Sequence, residues 1–151
     1  METFRALALF SGGKDSTFSL WKAIKLGHEI VGLLTVKPLN SESWMFHYPC
    51  VDLTPLQAEA IDIPLYTVFT VGRKEEEVED LKTAITNLKN KLKFEALILG
   101  AVESMYQKTR IENICKKTGL VSLTPLWHKN PEELLKEIVK EGFDVVFTAV
   151  A

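Results

Sequence analysis

Apolar runs of strand length alternate with stretches of helical period from one end of the chain to the other. Residues 4–10 are nearly all apolar, as expected of a parallel strand covered on both faces. Residues 15–26 then set Phe18, Leu20, Trp21 and Ile24 largely to one side, leave Lys22 and Lys25 for solvent, and stop at Gly27. Residues 29–36 read as a second strand. Residues 37–53 form a long loop punctuated by Pro38, Asn40, Ser41, Ser43 and Pro49, and loops of that length usually carry function or motion. Thr54-Pro55-Leu56-Gln57 has the form of an N-cap, Pro at N1 and Gln at N3, which predicts a short helix to about Ala60. A third strand covers residues 64–69. In the next helix Val78, Leu81, Ile85, Leu88 and Leu92 recur at three- and four-residue steps. Its first turns hold Glu75, Glu76, Glu77, Glu79 and Asp80, the sign a helix N-terminus favours. A fourth strand at 96–100, a helix at 106–118 stopped by Gly119, and a fifth strand at 120–123 follow. Asn130-Pro131-Glu132-Glu133 caps a last helix with Leu134, Leu135, Ile138 and Val139 on one face, ended by Gly142. The apolar residues 144–150 read as a sixth strand.

Strand and helix alternate throughout, so the pattern predicts one α/β domain with a mostly parallel sheet and helices on both faces. Ligands in such sheets bind beyond the C-terminal strand ends, where strand order reverses. The loops after the first, second and fourth strands are therefore the places to look. Composition changes this picture little: 151 residues, 46% hydrophobic and 25% charged, suit one domain with a real core. Eighteen Lys and Arg against twenty Asp and Glu leave a net charge of −2, which argues against a general nucleic-acid binder. The two cysteines, Cys50 and Cys115, form no CxxC pair and exclude a four-cysteine zinc site. The start lacks a basic, apolar leader, and no apolar run near it is long enough to span a bilayer, so a cytoplasmic, membrane-free protein is expected.

The loop after the first strand reads Ser11-Gly12-Gly13-Lys14-Asp15-Ser16 and runs straight into a helix. Two glycines allow a tight turn with N–H groups turned inward, and the helix N-terminus adds a positive dipole end. Lys14 brings a mobile charge, and Ser11 and Ser16 bring hydroxyl donors. Asp15 would repel a lone phosphate but suits a Mg²⁺ held between itself and phosphates. Ala8 and Asp15 stand where a Walker A loop needs Gly and Ser or Thr, and no G-x-G-x-x-G is present.

The hexapeptide resembles the pyrophosphate loop (PP-loop) of the N-type ATP pyrophosphatases. That resemblance implies a three-layer α/β/α, doubly wound fold of the HUP-like, adenine nucleotide alpha hydrolase-like kind, with residues 1–151 as one nucleotide-binding domain. It also implies cleavage of ATP between the α- and β-phosphates: a substrate oxygen is adenylated, pyrophosphate leaves, and a nucleophile displaces AMP.

Past the fourth strand the chain reads Gly100-Ala101-Val102-Glu103-Ser104-Met105-Tyr106-Gln107-Lys108-Thr109-Arg110-Ile111-Glu112. Tyr106 and Arg110 share a helix face, as do Gln107 and Arg110. Spacing alone leaves a site and a capped surface helix equally open. This run, with Cys115, Gly119-Leu120, Pro125-Leu126-Trp127 and Ser43-Trp44-Met45-Phe46-His47, resembles the diphthine–ammonia ligase family over nearly the whole chain. The resemblance implies an ATP-dependent ligase that adenylates diphthine on translation elongation factor 2 and amidates it with ammonium to diphthamide. It implies Ser11, Gly12, Gly13, Lys14 and Ser16 on the phosphates, Asp15 at Mg²⁺, and Met45 and His47 on the nucleotide or substrate side. Gly100, Glu103, Ser104, Tyr106, Gln107 and Arg110 would face them, with Lys14, Asp15, Glu103 and Arg110 carrying the chemistry and Glu112 orienting Arg110 or lying at the surface. Family members continue past this length with a Gly-Glu-rich segment tied to substrate binding. The expectation is thus a nucleotide-binding layer lacking that region: a truncated chain, a shortened gene product, or a protein completed by a partner or by dimerisation.

Other readings remain beside this one: a PP-loop enzyme that adenylates tRNA, and an ATP-binding module without turnover. His28 reads as a solvated turn residue, Trp21 as core, Cys115 as a small buried hydrophobe and the acid run at 75–80 as a solvated helix start. His128 divides evenly between site and surface.

Overall fold

The computed structural model describes residues 2–39, 51–71 and 73–147; Met45, His47 and Cys50 lie outside them. Five parallel strands, β1 (Arg5–Leu9), β2 (Glu29–Pro38), β3 (Leu65–Thr70), β4 (Ala96–Ile98) and β5 (Val121–Leu123), form one sheet in the order β3-β2-β1-β4-β5. Strand order reverses between β1 and β4, so the crevice lies where the sequence pattern puts it.

The central strand shows why the layers form. Ala6, Ala8 and Phe10 face one side and Leu7 and Leu9 the other, as strand alternation requires, and all five are buried. On the first side pack α1 (Lys14–Lys25) through Leu20 and Ala23, and α2 (Thr54–Ile61) through Ala58. On the second pack α3 (Lys74–Leu92) through Leu81 and Ile85, and α4 (Met105–Thr118) through Ile111, Ile114 and Cys115. The last helix, α5 (Pro131–Lys140), closes on α1: Leu134 and Ile138 join Phe18 and Leu126 in a third apolar cluster. Phe18 is fully buried, stacks on Trp21 at 5.3 Å between ring centres and meets Phe143 edge-on at 5.7 Å. Each such side chain contributes on the order of 1.5–3 kcal/mol by leaving water.

Local signals place the helix ends well. Asn130 Oδ1 accepts from the Glu132 and Glu133 N–H groups at 3.0 and 3.1 Å, and Gly119 ends α4 in the left-handed conformation, φ 73°. Other readings need correction. The sixth strand is absent from residues 144–147, the part of 144–150 that is described. Apolarity alone does not make a strand: Val145 packs on the Phe18–Leu126 cluster beside α1 and α5, while Val146 and Phe147 stay exposed. The second strand continues past Val36 to Pro38, which pairs with Thr70. Thr54 is the first residue of α2, not its cap: its hydroxyl donates to the Val51 carbonyl at 2.9 Å, inside a preceding 3₁₀ turn, Val51–Leu53. Ile24 is exposed, because α1 turns Leu20 and Ala23 to the sheet and Phe18 toward α5. His28 is no solvated turn residue, since its Nδ1 accepts from the Phe4 N–H at 3.1 Å and its ring stacks on Phe4. Within the acid run Glu77 is fully buried while its neighbours Glu75, Glu76 and Glu79 are exposed. Among the described residues no helix is long and apolar enough to cross a membrane.

Candidate functional site

The Ser11–Ser16 loop leaves β1 on a fixed footing. Phe10 donates its N–H to the Leu34 carbonyl at 2.9 Å, and its own carbonyl accepts from the buried Thr35 hydroxyl at 2.7 Å. Gly12 then takes φ 81°, open to glycine without strain, and Gly13 caps α1 in an extended conformation with no side-chain bond. The first N–H groups of α1 have no intrahelical acceptor and face outward from the turn. Inside the loop Ser16 Oγ closes the turn, accepting from the Ser11 N–H at 3.2 Å, meeting Ser11 Oγ at 3.0 Å and donating to the Gly13 carbonyl at 3.3 Å.

The end of β4 presses on this turn from the other side. A Cβ on Gly100 would stand 2.8 Å from Ser16 Cα and 3.0 Å from Ser16 N, so only glycine lets the two backbones meet so closely. Beyond it Ser104 caps α4, its hydroxyl accepting from the Gln107 N–H at 3.3 Å.

Between the two turns opens a cleft of about 250 Å³. Its floor is apolar, from Leu9, Phe10, Leu34, Val36 and Leu99; its rim is polar, from Ser11, Asp15, Ser16, Glu103, Ser104 and Gln107, with Gly100 between. An apolar base with a few convergent polar groups is the usual form of a small-molecule site. Lys14 Nζ lies 2.9 Å from Asp15 Oδ1. It lines an adjoining hollow of about 190 Å³ that shares Asp15, Val102 and Glu103 with the cleft and is walled by α5.

The sequence-derived set is thus brought together only in part. Ser11, Asp15, Ser16, Gly100, Glu103, Ser104 and Gln107 meet at one cleft, with Gly12, Gly13 and Lys14 on the same turn. Tyr106 and Arg110 pack on each other instead. The guanidinium lies 3.5 Å from the Tyr106 ring centre, and its Nη2 reaches Glu75 at 3.4 Å, in a groove between α3 and α4. Burial pushes the Tyr106 hydroxyl pKa up; Arg110 pulls it down, and Glu75 and Glu77 add to the rise. Glu112 pairs with Lys108 on the surface rather than with Arg110. Met45 and His47 lie outside the described residues. His128 is exposed with φ 62°, its N–H donating to the cleft residue Val102 at 2.9 Å.

Two features escape sequence reasoning. Gln57, read as a helix-start residue, donates from Nε2 to the Gly12 carbonyl at 3.0 Å. Glu77, read as solvated, is sealed under the N-terminus of α3. No local signal marks either: Gln57 acts on a residue forty-five positions away, and the acid run around Glu77 reads as solvated.

The geometry can be set beside known proteins. Residues 4–122 match the family model for the diphthamide synthase N-terminal domain. The chain is 39% identical to a diphthine–ammonia ligase of Schizosaccharomyces pombe over 97% of its own length and 27% of that protein's. It is 34% identical to the diphthine–ammonia ligases of Rattus norvegicus and Homo sapiens, over 97% of its length and 62% of theirs. It therefore spans about a quarter to three fifths of these relatives. Among solved structures it is similar to a predicted subunit of a tRNA methyltransferase from Methanocaldococcus jannaschii (TM-score 0.60, 19% identity, 92% of this chain and 75% of that one). It is also similar to a tRNA thiolase from Methanococcus maripaludis (TM-score 0.52, 15% identity, 92% and 57%). At those identities the likeness is one of fold. The chain belongs to the diphthamide synthase family.

Proposed function

We propose, from this family membership, that the chain is the ATP-binding layer of an amide-forming ligase, a single domain over residues 1–151, acting on diphthine of elongation factor 2. The observation that carries the reading is the convergence of two separate turns, Ser11–Ser16 and Gly100–Gln107, on one cleft with an apolar floor. The cleft fits a nucleotide. Its floor suits a base and ribose, and the Gly12–Gly13 turn with the α1 N-terminus suits a polyphosphate. Asp15 and Glu103 supply the hard oxygen donors that Mg²⁺ prefers.

In this reading Ser11, Gly12, Gly13 and Ser16 bind the β- and γ-phosphates. Lys14, now paired with Asp15, swings to them and leaves the Asp15 carboxylate for Mg²⁺, which neutralises phosphate charge when bound. A carboxylate oxygen of the acceptor attacks the α-phosphorus, and the bond to the bridging oxygen breaks. The loop donors hold the charge that collects on departing pyrophosphate. Ammonia then attacks the acyl carbon, and AMP leaves with the electron pair of the cleaved C–O bond. Glu103, Ser104 and Gln107 face the reacting phosphate across the cleft. Met45 and His47 would serve the nucleotide or the substrate, as the family resemblance implies. Tyr106 and Arg110 act as one unit that seats the start of α4. The acidic, two-cysteine composition suits the cytoplasm, and a homodimer or partner would supply further binding surface.

ATP labelled at the α-phosphate, incubated with the chain, Mg²⁺, ammonium and diphthine-bearing elongation factor 2, tests the proposal. Labelled AMP that depends on the factor and on ammonium supports it. AMP formation that responds to tRNA instead favours a tRNA-adenylating enzyme. ATP binding with no AMP under either substrate favours a nucleotide-binding module.

A further inference from the structure

We infer that Gln57 is a positioning residue of the phosphate loop: its carboxamide holds the Gly12–Gly13 peptide so that the Gly13 N–H faces the ligand side. The inference rests on the reading of this turn as a polyphosphate site.

The two glycines create the need. A peptide flanked by glycines can rotate about its neighbours with little steric cost, so the N–H that should meet a phosphate can equally turn away. An external restraint has to choose. Gln57 supplies one from α2, with Nε2 donating to the Gly12 carbonyl at 3.0 Å across forty-five residues of chain. In a trans peptide the carbonyl and the following N–H point in opposite directions. Drawing the Gly12 oxygen toward α2 therefore aims the Gly13 N–H away from it, where it donates to Ser11 Oγ at 3.3 Å on the exposed side.

Space behind the loop points the same way. A Cβ on Gly12 would stand 2.3 Å from Gln57 Oε1 and 3.2 Å from Thr54 Cγ2, so α2 backs the turn directly. Gln57 Oε1 is buried with no hydrogen-bond partner among the described residues.

Pyrophosphate is the probe, titrated calorimetrically into the full chain. Gln57→Leu removes the donor at similar volume, and pyrophosphate binding is expected to weaken about tenfold. Gln57→Glu is isosteric and keeps the test open should the leucine variant not fold. Its carboxylate cannot donate at about pH 8, but its protonated form can, so its deficit relative to wild type shrinks as pH falls to about 4. The deficit of Gln57→Leu stays constant over that range. Recovery of Gln57→Glu past the Gln57→Leu level toward wild type marks the restored donor; relief of carboxylate repulsion alone would stop at that level. Wild-type affinity in both variants, or a pH-independent deficit in Gln57→Glu, overturns the inference alone. A wild-type chain that binds no pyrophosphate overturns the phosphate-site reading and this inference with it.

Discussion

Gly100→Ala adds one methyl group where the end of β4 meets the start of α1. The new carbon would stand 2.8 Å from Ser16 Cα, 3.0 Å from Ser16 N and 3.2 Å from the Asp15 carbonyl carbon. Carbon atoms rest about 3.5 Å or more apart, so the two backbones must separate by roughly 0.7 Å. All three contacts are main-chain atoms, and no side chain can rotate out of the way. Overpacking of this kind costs about 1–3 kcal/mol, which lowers the midpoint of thermal unfolding by roughly 2–10 °C for a chain of this size. The larger effect is expected on the proposed function, because the displaced atoms belong to the Ser11–Ser16 turn. Misplacement approaching 1 Å costs on the order of a hundredfold in rate. Thermal unfolding followed by circular dichroism, with AMP formation from labelled ATP, reads both effects. A Gly100→Ala chain with wild-type unfolding and wild-type ATP affinity would show that the close approach does not govern the site.

Two further outcomes follow from the geometry. Asp15→Asn keeps the shape of the group beside Lys14 but removes its charge; Mg²⁺-dependent AMP formation should fall at least about a hundredfold with unchanged thermal unfolding, and full activity would take Asp15 out of the mechanism. Burial pushes the Cys115 thiol up to about 11, with the Ser122 hydroxyl nearby pulling it down and Glu112 adding to the rise. In a Cys50→Ser background this thiol should react with an alkylating reagent at about pH 8 only after denaturation. The unfolded thiol ionises first, so the stability it contributes is complete below about 9 and is lost as pH climbs toward 11. A native thiol that reacts as fast as the denatured one would contradict the buried assignment.

What could be read from the chain was what acts locally. Gly119 and Asn130 announce helix ends because a left-handed residue and an N-cap need only their own neighbours, and the Ser11–Ser16 turn announces itself the same way. The α/β class, the parallel sheet and the strand-end loops that border the crevice followed from alternation, but the strand order β3-β2-β1-β4-β5 did not. Arg110, His28 and Gln57 could not be read, because the fate of each depends on a partner far away in sequence, and nothing beside Glu77 in the chain signals its burial. Arg110 looked free to meet an anion, yet Tyr106 and Glu75 occupy it. Residues 144–147 carry a strand's composition without a strand's pairing, a distinction that hydropathy does not draw.

The placement of β1 sets the order in which the site can come into being. Its two ladders join Ala6 to Ile30 on one flank and to Ala96 on the other, so the second waits for ninety residues of further synthesis. A chain emerging from the ribosome can pair β1, β2 and β3 early while the flank destined for β4 stays bare, an apolar edge able to recruit the wrong strand. The phosphate turn can begin to form in that period, but Gly100 has not yet arrived to close against Ser16. The cleft between these two turns is therefore complete only once β4 and Gly100 have been made, and a nascent chain stalled before β4 keeps that apolar flank open.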